Sequence, residues 1–406
     1  MTGFRPPARA LAAGLLLLAA AGCATWRGPH GGGSGVRALS PRPEIPPAVH
    51  ATAAEGIMDA FFAANRIALE PQELADIFPG GVVREHAENP AALTRAARRR
   101  ERIVAAIPAD PENLWDALGR NRPLLLYLPA GRPDEGPLLA IPVLWDRRAG
   151  VLRLLAGDGI LHDVPEDRFF ALREPLRHNA LCLVRPSDVH TLPLSARDRR
   201  LLLADYRFGK GDYRRAEALY RGLPPPGGDD ATAADADLRS LSGRAASLVR
   251  LGKPAKAIPL YGQALAADPG NPILLNNLAY AMMLDGNDLP EALRLARRAL
   301  EAAPANPVFL ETAGSLELRL GDAEAAARTL ERAWTRSSGR PPEVQVAIQD
   351  QLARAWLAAG RRDLAWQVAE HRFRTFPDHA MPRDLAKAFP SLRRPRAPHP
   401  APAQGD

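Results

Sequence analysis

A glycine, a small residue five or six places later and an apolar residue four beyond that recur five times between residues 197 and 379. Gly211-Asp212-Tyr213 leads to Ala216, Tyr220 and Leu223, and Gly252 leads to Ala257, Tyr261 and Ala264. Gly286 leads to Ala292, Ala296 and Ala299, Gly321-Asp322 to Ala326, Leu330 and Ala333, and Gly360 to Ala365 and Ala369. The underlying period is about 34 residues. The glycine admits a tight turn between antiparallel helices. The alanines let the two helices approach closely. Pro269, Pro304 and Pro377 cannot continue a helix and mark the passage to the next unit. Such a chain folds by stacking helix pairs, each burying a face that it cannot bury alone.

The pattern resembles a tetratricopeptide array, with units at 197–230, 238–271, 272–306, 307–340 and 346–379. The third is one residue long and the fourth lacks its closing proline. Residues 227–230 and 337–342 read as loops between units. The resemblance implies a concave groove lined by the first helix of each unit, able to hold an extended peptide or a partner helix. Its inward positions would be Arg239, Ser242, Asn276, Tyr280, Glu311, Ser315, Asp350 and Arg354. Asn276 and Tyr280 stand out, because an amide bonds a peptide backbone and a tyrosine adds a rigid contact. Trp334, Trp356 and Trp366 fall at packing positions. No single charge dominates the groove, which leaves the partner's character open.

Residues 44–190 are written differently. Helical patterns cover 53–65, 71–78, 91–107 and 112–118. Pro71 and Asp110-Pro111-Glu112 sit where helices begin. Strand patterns follow at 124–128, 138–145, 151–155, 160–164 and 180–184, with a hairpin connection at 146–150. Helices first and an antiparallel sheet after them predict an α+β domain.

The N-terminus carries Arg5 and Arg9, a short apolar run over 10–21, and then Ala20-Ala21-Gly22-Cys23. A cationic start, an apolar stretch and small residues describe an export signal. The cysteine directly after them resembles the lipobox of bacterial lipoproteins, although Ala20 stands where that family prefers leucine. The resemblance implies that Cys23 is acylated and becomes the new N-terminus. The run is shorter than the roughly 20 residues that span a bilayer, so the chain would be anchored to a membrane and not cross it. Ala24 lacks the aspartate that retains enteric lipoproteins at the inner membrane, which points to a periplasm-facing outer-membrane protein of the cell envelope. Residues 24–43, rich in glycine and proline, read as a flexible tether. Residues 380–406, with Arg393, Arg394 and Arg396, read as a disordered tail.

Net charge is +7, or +5 once Arg5 and Arg9 leave with the signal. That suits anionic lipid surfaces and is no nucleic-acid signature. Arg95, Arg98, Arg99, Arg100 and Arg102 form a basic run, read as a solvated helix face or as an attraction to lipid head groups. With Cys23 acylated, Cys182 has no disulfide partner.

The order of a helix over 53–65, then Glu73-Leu74-Ala75, then a strand ending Leu144-Trp145-Asp146 resembles papain-like cysteine peptidases of the bacteriocin-processing type. That family joined to tetratricopeptide repeats is a known lipoprotein arrangement. The resemblance places the nucleophile at Ala53 and the histidine at Leu138. Neither residue can supply a thiolate or a base, so the domain would be an inactive peptidase fold. Cys182 lies in an apolar strand pattern as a small hydrophobe. His162, with Asp158 and Asp163 nearby, reads as a solvated turn. No metal-ligand spacing and no cofactor motif is present. The expected function is therefore a non-enzymatic envelope scaffold binding a protein or peptide partner. The alternatives are a cysteine-peptidase-like enzyme with a relocated site and a repeat adaptor with an unrelated α+β domain.

Overall fold

The computed structural model describes residues 35–40, 53–78, 90–128, 138–173, 179–223 and 231–392. Cys23 with its export segment, Ala24, and the tail arginines Arg393, Arg394 and Arg396 lie outside them. The chain divides into two compact units, Met1–Asp212 and Tyr213–Asp406.

The first unit is built on an antiparallel sheet. Strands β2 (Ile103–Pro108), β3 (Leu124–Leu128), β4 (Leu138–Asp146), β5 (Val151–Ala156), β6 (Leu161–Pro165) and β7 (Asn179–Val184) lie in the order β2-β7-β3-β4-β5-β6. β3 to β6 form a meander, and β7 returns to pair with β3 and β2. At the β4–β5 hairpin the Asp146 carboxylate accepts from the backbone N–H of Arg148 and Ala149, at 2.9 and 3.1 Å. Helices α1 (Ala53–Ala64), α2 (Pro71–Ile77), α3 (Pro90–Arg99), α4 (Pro111–Gly119), α5 (Glu166–Arg173) and α6 (Ala196–Gly209) complete the unit. α1 packs on β4 and β3. Its Ile57, Met58, Ala60, Phe61 and Phe62 are fully buried.

Three expectations change here. Residues 103–107, read as the end of a helix, form β2. Ile103, Ala105 and Ile107 are buried in alternation, and β2 pairs in full register with β7. The alanine- and arginine-rich run carries a helical pattern, but Glu101 takes a left-handed φ of 55° and stops α3. Residues 36–38, inside the expected tether, form a strand β1 (Val36–Ala38) paired with the end of β4. Pro142 and a bulge between Pro142 and Leu144 interrupt β4, and the freed Val143 carbonyl accepts from Leu39 N–H at 2.9 Å. The expected unit 197–230 is divided, because Tyr206 of α6 is buried in the core of the front unit.

The second unit is a stack of helix pairs. It starts with α7 (Tyr213–Arg221). Then come α8 (Ala231–Arg250) with α9 (Pro254–Ala267), and α10 (Pro272–Asp285) with α11 (Leu289–Ala302). α12 (Pro307–Arg319) pairs with α13 (Ala323–Thr335), and α14 (Pro342–Ala358) with α15 (Arg362–Thr375). Each helix packs on the next in sequence. Ala216, Ala257, Ala292, Ala326 and Ala365 are all fully buried, as the close approach of paired helices requires. At the α10–α11 turn Gly286 has φ 84°, a conformation that a Cβ would strain. Asn271 and Asn306 cap α10 and α12 through side-chain oxygens, and Pro272 and Pro307 occupy first-turn positions whose N–H would have no helical partner.

The expected disordered tail begins later than residue 380. Helix α16 (Arg383–Ala388) and a short 3₁₀ turn (Pro390–Leu392) pack on α14 and α15. Leu385, Phe389 and Leu392, spaced four and three apart, are buried in the same core as Leu352 and Ala365. This apolar stripe closes the last exposed face of the stack.

Candidate functional site: the groove helices of the repeat array

The eight positions expected to line a groove sit on the first helices of the four pairs: Arg239 and Ser242 on α8, Asn276 and Tyr280 on α10, Glu311 and Ser315 on α12, Asp350 and Arg354 on α14. Their environments separate them into two groups.

Asn276, Tyr280, Glu311 and Ser315 form the open group. Asn276 is 3% exposed, and its side-chain oxygen has no hydrogen-bond partner among the described residues. A buried amide oxygen left bare is costly unless a ligand donates to it. The Glu311 carboxylate accepts from the Ser315 hydroxyl at 3.2 Å. Burial pushes the Glu311 carboxyl up from its ordinary value, and the Ser315 bond opposes this. Tyr280 is half-buried. Burial raises its hydroxyl, and the neighbouring Glu311 charge adds to the effect. The sequence missed one member with the same character. Gln349 on α14 is 1% exposed, and its side-chain oxygen is also unpartnered among the described residues.

Asp350 and Arg354 behave differently. Arg354 grips Asp384 of α16 with two bonds of 2.6 and 3.1 Å. Asp350 lies against the buried guanidinium of Arg372, which donates to the carbonyls of His379 and Ala380 at 2.8 and 2.9 Å. These two expected groove positions therefore hold the C-terminal cap and are not free for a ligand. Arg239 is exposed, and the Ser242 hydroxyl donates to its carbonyl at 3.4 Å.

In the front unit the two positions drawn from the peptidase resemblance fall on elements that pack together. Ala53 opens α1, and Leu138 opens β4 as a partly buried residue against the same core. Cys182 is fully buried in β7, and burial pushes its thiol up to about 12, which disfavours the reactive thiolate at neutral pH.

Two further expectations are revised. The basic run is not one solvated face. Arg100 grips Glu73 at 2.8 and 2.6 Å, Arg99 reaches it at 3.1 Å, and Arg98 donates to the Gly209 carbonyl at 3.4 Å. Glu73 also accepts from Glu70 N–H at 3.1 Å, closing a capping box on α2. The Arg100 guanidinium holds the Glu73 carboxyl down to about 2, against the opposing effect of burial. His162 is likewise no solvated turn residue. Its Nε2 lies 2.9 Å from Asp158 Oδ2, with the Asp158 side chain only 3% and that of His162 15% exposed. Asp163 is the outward neighbour and pairs with Arg153 at 2.6 Å. Strand alternation decides which side of the sheet each side chain takes. Among the described residues no cluster of histidine, cysteine and carboxylate has the geometry of a metal site, and no helix is long and apolar enough to cross a membrane.

Residues 243–307 and 284–341 each match the tetratricopeptide repeat family model, and this part of the chain is a tetratricopeptide array. No curated protein matches the chain. Solved structures with similar helical stacks include TTC0263, a thermophilic TPR protein in Thermus thermophilus. It is 20% identical over 48% of this chain and 98% of its own, with a TM-score of 0.38. YrrB, a TPR protein with an unusual peptide-binding site, is 16% identical over 47% of this chain and 91% of its own, with a TM-score of 0.34. The MamA protein is 15% identical over 49% of this chain and 96% of its own, with a TM-score of 0.33.

Proposed function

We propose that the protein is an envelope-anchored lipoprotein scaffold, lipidated at Cys23, that binds a protein or peptide partner along the first helices of its repeats. The observation that carries this reading is the open group on α10 and α12. Asn276 offers a buried, unpartnered acceptor on the same helix as Tyr280, whose hydroxyl feels the Glu311 charge. The backbone N–H of an extended peptide is the donor that such an amide takes. The test places a photo-crosslinking amino acid at Tyr280 of the full chain in the producing cell. A discrete adduct is expected, reduced by Asn276→Ala. The same label at Arg328, on the second helix of a pair, serves as control. Equal labelling from both positions would refute the reading.

The lipid anchor has its own test. Palmitate incorporation should be lost in Cys23→Ser, which should also release the protein from the membrane fraction. Outer-membrane placement predicts co-sedimentation with that membrane.

The front unit, in this reading, is a peptidase-like fold without its catalytic groups. Support comes from α1 packing on β4, the two elements that would carry the nucleophile and the histidine. In the pair Ala53→Cys and Ala53→Cys/Leu138→His, the histidine should lower the thiol pKa and speed alkylation at pH 6. Equal rates would mean that the two positions do not face each other.

A further inference from the structure

A cavity of about 390 Å³ opens at one pole of the front unit, where α1, α3 and α4 all end and β7 leaves the sheet. The three helix ends are built alike. Ile67, Arg102 and Arg122 each donate a backbone N–H five residues back, to Phe62, Ala97 and Ala117, at 3.0, 2.9 and 2.8 Å. The residue before each donor, Arg66, Glu101 or Asn121, is left-handed, with φ of 60°, 55° and 51°. These are Schellman closures made without glycine.

Five arginines line the cavity: Arg66, Arg102, Arg120, Arg122 and Arg185. Two are neutralised. Arg120 pairs with Asp116 at 2.6 Å and Arg185 with Asp188 at 2.8 Å. Among the described residues Arg102 meets carbonyl oxygens of its own turn, and Arg122 meets the Thr191 hydroxyl. The Arg66 side chain is exposed and has no hydrogen bond or ion pair among the described residues. Among the described residues, five guanidinium groups against two carboxylates leave an excess of three positive charges. Each helix C-terminus brings roughly half a negative charge, about 1.5 in all. Dipoles therefore account for part of the arginine enrichment and leave a net positive cavity. Arg66 shares its left-handed φ with Glu101 and Asn121, so that conformation belongs to the helix closure, and the closure sets an exposed guanidinium at the rim.

We infer that this cavity binds a ligand carrying two or more phosphate charges. The guanidinium fork matches phosphate oxygens two at a time, and three such forks without carboxylate partners among the described residues suit a pyrophosphate or bis-phosphate group. The group can belong to a soluble phosphorylated compound or to a lipid head group. The site is independent of the repeat groove and of the fate of the peptidase resemblance.

The test uses the full chain and two probes at 150 mM salt: inorganic pyrophosphate by calorimetry, and vesicles of 30% phosphatidylglycerol in phosphatidylcholine by co-sedimentation. Pure phosphatidylcholine vesicles give the baseline that any N-terminal lipid contributes. Arg66→Gly removes the charge and relieves the left-handed strain, so it should melt no lower than the parent. It is expected to weaken binding of at least one anionic probe about tenfold. Arg328→Ala on α13, an equal charge change elsewhere, should leave binding unchanged. Loss confined to pyrophosphate identifies a soluble ligand, and loss confined to the anionic vesicles identifies a lipid head group. Absence of binding by the parent chain, or equal binding by parent and Arg66→Gly, would overturn the inference.

Discussion

Arg372 and Asp350 form an ion pair, Nε to Oδ1 3.0 Å, with Arg372 only 1% exposed. The guanidinium spends its other nitrogens on the carbonyls of His379 and Ala380. Burial still raises the Asp350 carboxyl, so desolvation outweighs the attraction of its partner. One interaction thus joins a groove helix to the segment that leads into the cap.

Arg372→Ala leaves that buried carboxylate with the attraction of Arg354 but no ion-pair contact, and frees two carbonyls. Breaking a buried pair from one side costs about 3–5 kcal/mol. The expected result is loss of amide-exchange protection in the last helix pair and α16. Arg372→Met, with apolar bulk but no charge, should be nearly as disruptive. Unchanged protection in both would show that the cap is held by Leu385, Phe389 and Leu392 alone.

Glu73 gives the front unit a predictable acid response. Its folded pKa of about 2 lies below its ordinary value of 4.5. The carboxylate therefore contributes stability that is fully present above about 4.5 and is lost as pH falls toward 2. Urea unfolding of the front unit, followed by tryptophan fluorescence, should show a midpoint that drops across this window. Glu73→Gln should be less stable at pH 7 by on the order of 2 kcal/mol, the scale of a charge-assisted hydrogen bond. The difference should shrink below pH 4.

Glu311 should behave in the opposite sense. Its raised folded pKa means that its stabilising contribution is present at low pH and lost as pH rises through that value. Glu311→Gln removes the buried charge and should raise the melting temperature of the repeat array at pH 7, with the advantage vanishing below pH 4. Weaker partner crosslinking in the same variant would separate binding from stability.

Gly314→Ala sets two effects against each other. A helical glycine-to-alanine change gains up to about 1 kcal/mol in propensity. The added Cβ would lie 2.7 Å from Leu330 Cγ and 3.3 Å from the Ala326 carbonyl. Overpacking costs about 1–3 kcal/mol, so net destabilisation is expected. A stabilised variant in thermal denaturation would mean that α12 and α13 can part without penalty.

Cys182 should resist alkylation in the folded chain and react only after denaturation, because its thiol is sealed and protonated at neutral pH. Mass spectrometry before and after urea checks this. Rapid native labelling would reopen the relocated-thiol enzyme.

The helix pairs of the array were legible residue by residue. Gly252, Gly286, Gly321 and Gly360 follow their helices with left-handed φ, and the alanines that come after them are sealed between helices. These features depend on bonds four residues long and on contacts with the next helix, so a linear pattern contains them. The strands from 124 onward were legible as short apolar runs such as Leu124–Leu128 and Leu138–Asp146, most of whose residues are buried.

Tertiary structure decided the rest. Ile103–Pro108 is a strand because β7 lies beside it, with Ile103 opposite Val184. Val36–Ala38 left the tether for the sheet because a bulge in β4 opened a carbonyl to Leu39. Asp350 and Arg354 carry groove spacing, yet the cap takes them. Arg66, Arg122 and Arg185 converge on one cavity from separate turns, none of them part of the basic run that the sequence advertised. Each of these outcomes depends on groups tens of residues apart meeting in a desolvated interior. There, pairing and burial outweigh the local preferences that a sequence displays.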